Sequence, residues 1–101
     1  MVKWPEKDPD AEKDYAIDWS ERLLAGETIT DSAWAVESDT EDPALLVIEV
    51  DAPHDPTVVD GVCTCWLSGG TAGIKYKVTN RITTSRGLID DQTATIKVNE
   101  Q

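Results

Sequence analysis

The sequence predicts an all-β fold, an immunoglobulin-like antiparallel β-sandwich of about seven strands. Three observations carry this expectation. Apolar residues recur at every second position in several separate stretches, the period of a strand with one dry and one wet face. Turn-forming Gly, Pro, Asn and Asp interrupt these stretches about every 8–12 residues, the spacing of sandwich strands. No stretch holds helical periodicity long enough to bury a face of its own.

The clearest stretch is a strand–turn–strand unit. Cys63, Cys65 and Leu67 fall at period two, so they share one face. Ser68-Gly69-Gly70-Thr71-Ala72-Gly73 follows, with three of the chain's six glycines. Gly69, Gly70 and Gly73 are structural in this reading, since they allow the positive φ that reverses a chain. The next strand alternates, with Ile74, Tyr76 and Val78 inward and Lys75, Lys77 and Thr79 outward. Tyr76, just past Gly73 at a strand start, stands where an immunoglobulin-like sandwich puts its tyrosine corner. It is expected buried, with its hydroxyl bonded to backbone of the 68–73 turn.

The remaining elements follow in chain order. Residues 1–13 read as an extended or loosely attached arm, and residues 14–101 as the sandwich. Trp4 is the lone large aromatic of the arm. It either docks on its own domain or serves as a partner contact. Tyr15, Ile17 and Trp19 alternate with Ala16 and Asp18 in the first sandwich strand. Residues 21–26 suit one short helical turn ended by Gly26. In the 28–36 stretch Ile29 and Trp34 are out of phase by one, which calls for a bulge near Asp31 and Ser32. Residues 37–43 form an acidic turn. Leu46, Ile48 and Val50 make the inner face of the most hydrophobic strand. Residues 51–56 hold two prolines and form a loop, and residues 57–60 a short strand or edge piece broken at Gly61. Residues 85–90 form a hairpin loop, and Ala94, Ile96 and Val98 point inward from the last strand. Trp19 and Trp34 sit in core phase, leaving Trp4 and Trp66 as the candidates for a partner contact.

One domain suits 101 residues, and a chain of that length buries roughly 60–70% of its unfolded surface without staples. The formal net charge is −11, from 20 acidic and 9 basic residues. Such a field repels phosphate backbones, which argues against nucleic-acid binding and for solubility, with a basic protein partner or bound cations as the other readings. The segment after Met1 is polar within a few residues, and no apolar run reaches membrane-spanning length, so neither a signal peptide nor a membrane role is expected. The chain reads as a complete small product made in the cytoplasm.

No catalytic constellation is visible. His54 sits in a proline-rich loop with nothing to fix it against a Ser or Cys, so a solvated loop histidine is the reading. Cys63 and Cys65 are too close along one strand to bridge without puckering it, and are read as reduced core thiols. Without a second Cys pair they do not make a metal site. The 68–73 turn joins two strands and lacks a following helix, so it is no phosphate loop. Acidic groups occur at Asp39, Glu41 and Asp42, at Asp51 and Asp55, and at Asp90 and Asp91. Sandwich loops can hold Ca²⁺ with such groups, but these spacings match no calcium loop. No cofactor and no enzymatic activity are expected.

Residues 7–10, 14–20 and 26–34, with Trp66-Leu67-Ser68-Gly69-Gly70-Thr71-Ala72-Gly73 and Thr79-Asn80-Arg81-Ile82-Thr83-Thr84, resemble a family of small tailed-bacteriophage proteins. Its members are virion structural proteins, some of them fibre–tail adaptors. The resemblance is weakest over residues 37–62, and its motifs are strand and turn residues. It implies an immunoglobulin-like sandwich made in the bacterial host and built into the virion, with other virion structural proteins as partners. The isolated protein is expected to be a monomer that occurs in several copies in the particle, docking through the arm and an exposed strand edge. The alternative is a stand-alone module that binds a carbohydrate through exposed tryptophans.

Overall fold

Alternation of apolar and polar residues sets most of the strand boundaries. The computed structural model describes residues 2–7, 12–38, 46–52 and 54–99. Within these residues eight strands form: β1 (Val2–Lys3), β2 (Lys13–Asp18), β3 (Ile29–Ser38), β4 (Leu46–Ile48), β5 (Thr57–Val59), β6 (Val62–Gly69), β7 (Lys75–Thr84) and β8 (Ile89–Lys97). One sheet has the order β1-β8-β7-β3. The other has the order β2-β6-β4, with β5 also paired to β6. All neighbours are antiparallel except β1, which runs parallel to β8. The two inner faces meet in one core, as an immunoglobulin-like sandwich requires. Its buried members include Ile17, Cys63, Cys65 and Leu67 from one sheet and Tyr76, Val78, Ile82, Ala94 and Ile96 from the other.

Register explains which residues reach that core. Tyr15 faces Cys65 and Ile17 faces Cys63 across β2 and β6. Tyr76 faces Ile96 and Val78 faces Ala94 across β7 and β8. A slip of one residue would turn each of these sets to solvent, so the pattern fixes the pairing. The register shift between Ile29 and Asp31 is the bulge that the phase of β3 demands. It lets Ile29 lie opposite Thr84 and Trp34 opposite Asn80, both on the inner side.

Four segments differ from the sequence expectation. The first residues are extended, but they are paired rather than loose, and β1 is the strand beyond the seven. Trp4 N–H donates to Thr95 O at 2.9 Å and Lys7 N–H to Lys97 O at 3.1 Å. Residues 21–26 do not make a helical turn. Arg22 N–H bonds Trp19 O and Glu27 N–H bonds Leu24 O, giving two successive reverse turns, with Gly26 at φ +80°. Val50 is not on an inner face: β4 ends at Ile48, and Val50 stands 72% exposed where the chain leaves the sheet. Ile89 and Asp90 belong to β8, because Thr84 N–H closes the hairpin on Leu88 O. The acidic turn expected over residues 37–43 lies mostly outside the described residues.

Candidate functional site

The glycine turn is held from several directions. Gly69, Gly70 and Gly73 have φ of +72°, +92° and +88°. At Gly70 a Cβ would also stand 2.8 Å from Val98 Cγ2, so both conformation and space select glycine there. Tyr76 is fully buried, and its hydroxyl accepts the Thr71 N–H at 2.9 Å. Gly73 N–H donates to Val98 O at 2.7 Å, and Lys7 Nζ donates to Gly69 O at 2.8 Å. The backbone donors that a phosphate loop would aim at a ligand are used within the fold at Thr71 and Gly73. Tyr76→Phe is expected to destabilise the protein by about 1–2 kcal/mol, the cost of leaving the Thr71 N–H without that acceptor. Urea unfolding measures it, and an unchanged midpoint would refute it.

The four tryptophans divide between interior and surface. Trp19 is fully buried, and its indole N–H donates to Asn80 Oδ1 at 2.8 Å. Trp34 is half-buried against the core. Trp4 is 7% exposed, stacked on Tyr15 at 4.8 Å between ring centroids, with Trp34 at 6.3 Å. Of its two expected roles the structure gives Trp4 the one on its own domain. Burial, with Asp14 and Cys65 nearby, pushes the Tyr15 hydroxyl above its ordinary pKa. Trp66 stands on the outer face of its sheet. His54 stacks on it at 4.0 Å with ring planes 20° apart. His54 Nδ1 also pairs with Glu12 Oε1. The histidine is therefore half-buried and partnered, not a freely solvated loop residue. Nothing local in the sequence brings Glu12, His54 and Trp66 together; the pairing of β2, β4 and β5 with β6 does.

Chemistry-bearing residues are largely engaged. Cys63 and Cys65 are unbridged and buried, and burial pushes both thiols up, Cys65 to about 12 with the neighbouring Cys63 adding to it. They stay protonated at neutral pH and are poor nucleophiles. Asp90 pairs with Arg22 at 3.1 Å. Asp91 takes a bidentate hydrogen bond from Arg81 at 2.7 and 2.9 Å, which holds its carboxyl below the usual range. That acidic pair is thus answered by arginines. Asp39, Glu41 and Asp42 lie outside the described residues. Among the described residues no group of three His, Cys, Asp or Glu side chains is placed to hold a metal ion.

Among the described residues β3 and β2 each have one edge without a strand partner, and several large apolar side chains are exposed. Over residues 7–97 the chain matches the family model described as Podophage GP4 fiber-tail adaptor protein gp77. No curated protein matches the chain.

Proposed function

The chain belongs to the podophage GP4 fibre–tail adaptor family, and from that premise we propose that it links tail and fibre by protein–protein contacts alone, without catalysis. The observation that carries this reading is the extent of the match. It runs from Lys7 to Lys97, so the likeness rests on the whole sandwich and not on one turn. The physical chemistry agrees with it. A rigid two-sheet body with protonated interior thiols and arginine-paired carboxylates suits a spacer better than a reaction centre. The net charge of −11 disfavours phosphate backbones, keeps free copies apart, and draws the protein to basic partner surfaces. In this reading the protein is made in the host cytoplasm, is monomeric when free, and enters the virion in several copies. Of the two tryptophans expected at a partner contact, Trp66 is the one left at the surface.

The test is particle assembly without this protein. Such particles are expected to lack attached fibres, and adding the purified protein is expected to restore them, with immunogold label at the fibre–tail junction. Fibres attached at normal occupancy in its absence would overturn the reading.

A further inference from the structure

An adaptor needs a specific docking surface, and the exposed apolar side chains are unevenly placed. Seven large ones are exposed among the described residues: Leu24, Val47, Val50, Val58, Val59, Leu88 and Ile89. Five of these, all but Val47 and Val50, lie at one end of the sandwich. That end is built from the β2–β3 loop, the β5–β6 turn and the β7–β8 turn. Three contacts hold these loops together: Trp19 N–H to Gly61 O at 2.8 Å, Ser85 N–H to Thr28 O at 2.7 Å, and the Arg22–Asp90 pair. Apolar side chains gathered at one site, rather than scattered singly, mark an interaction surface.

The same end holds a cleft of about 590 Å³. Leu23, Leu24, Ile29 and Val58 give it apolar walls, and Glu27 and Asp60 line it with negative charge. Among the described residues no lysine or arginine lines it, although the Arg86 charge acts on Glu27 from nearby. Glu27 Oε1 accepts the Leu24 N–H at 2.9 Å. The Leu24 N–H, then the Thr84 hydroxyl and the Arg86 charge, keep this carboxyl ionised. The carboxylates of Glu27 and Asp60, set beside these apolar walls, are complementary to a cation carried on an apolar segment.

The geometry points to this loop end as the docking surface for a partner virion protein, through a segment that brings a lysine or arginine to the mouth of the cleft between Glu27 and Asp60 and packs apolar neighbours against Leu24 and Val58. The inference rests on the adaptor reading and adds to it the place and chemistry of one contact. The charge of −11 favours such a basic segment over a second copy of this chain, which would bring a like-charged surface.

The experiment rebinds purified protein to particles assembled without it and measures occupancy. Failure of the wild type to bind would overturn the adaptor reading itself. Given wild-type binding, Leu24→Asp and Ile89→Asp are expected to lower occupancy at least tenfold, while Val50→Asp, away from this end, stays at the wild-type level. These side chains are exposed, so melting temperatures should match the wild type, and either of the two loop-end variants suffices if the other fails to fold. Glu27→Gln is expected to lower occupancy about tenfold and to weaken its salt dependence. Normal occupancy for the loop-end variants would overturn the surface. Loss with Leu24→Asp but none with Glu27→Gln would overturn the basic occupant. Self-association of the free protein that Leu24→Asp abolishes would overturn the assignment to a partner protein.

Discussion

Replacing Asn80 with alanine is expected to destabilise the protein by about 2–4 kcal/mol, although it removes no charge and little apolar surface. Asn80 is fully buried on β7. Its Oδ1 accepts from Trp19 Nε1 at 2.8 Å, and its Nδ2 donates to Ser32 Oγ at 2.9 Å and Ala33 O at 3.1 Å. Trp19 follows β2 in one sheet, while Ser32 and Ala33 lie on β3 in the other. One amide thus ties both sheets across the core. The amide's orientation follows from chemistry, since an indole N–H can only donate and a carbonyl can only accept. Alanine leaves the fully buried Trp19 N–H with no acceptor, which is the costly half of the change. Ser32 is only half-buried and can turn to water. A domain of this size has about 5–15 kcal/mol of stability in total, so the expected loss is a large fraction of it. Denaturant unfolding of Asn80→Ala, Trp19→Phe and the double variant measures the pair, with a coupling of about 1–3 kcal/mol expected between contacting residues. An Asn80→Ala protein within about 0.5 kcal/mol of the wild type would show that the amide does not link the sheets.

Alternation alone makes most of the sandwich legible in the sequence. Tyr76 and Val78, and Ala94, Ile96 and Val98, each sit where period two places them, because a one-residue slip would expose the whole set. The bulge in β3 is legible for the same reason: Ile29 and Trp34 cannot both face inward without one extra residue between them. Two kinds of element are not legible. β1 has two residues, too few for any period, and its pairing with β8 is a long-range choice. Val50 continues the alternation of Leu46 and Ile48, but the sheet ends before it. The backbone N–H of Glu49 still bonds Trp66 O, and beyond it no strand among the described residues gives Val50 a face to cover.

The surface features are less legible than the fold, and for a physical reason. The cleft at the loop end draws its walls from two connections far apart in the chain, the β2–β3 loop and the β5–β6 hairpin. Each connection alone reads as an ordinary turn with one or two apolar residues. Only the stacking of β2 on β6 and of β3 on β7 brings Leu24, Val58 and Ile89 to the same end. The glycine turn is the contrary case. Its residues are contiguous, and a tyrosine after Gly73 already implies a hydroxyl-to-backbone bond. The tryptophans show both cases: core phase locates Trp19 and Trp34, but composition alone makes Trp4 look like a free anchor on a polar arm.

The N-terminal segment gives the other large expected effect. Trp4→Ala is expected to cost about 3–5 kcal/mol, the range for emptying a buried aromatic site. Trp4 is 7% exposed and packs on Tyr15 and Trp34, so alanine would leave a cavity between the two sheets rather than free a loose arm. Trp4→Phe should cost much less, about 1–2 kcal/mol, for a reason specific to this site. Trp4 Nε1 is buried without a hydrogen-bond partner, so the smaller ring gives up no polar bond and retains the stack on Tyr15. Removing residues 1–7 should exceed either substitution. It takes away Trp4 and the fully buried Lys7, whose Nζ bonds Gly69 O at 2.8 Å, and it strips the parallel pairing from β8. It also leaves Asn99 N–H without the Lys7 O that it bonds at 2.8 Å. A loosely attached arm predicts the reverse: trypsin would cut rapidly after Lys7, and the truncated protein would melt like the full chain. Slow cleavage at Lys7 together with a large fall in the unfolding midpoint of the truncated protein is the expected result. It would place the segment inside the fold, so that any loss of particle assembly on truncation reports a weakened sandwich and not a missing docking arm.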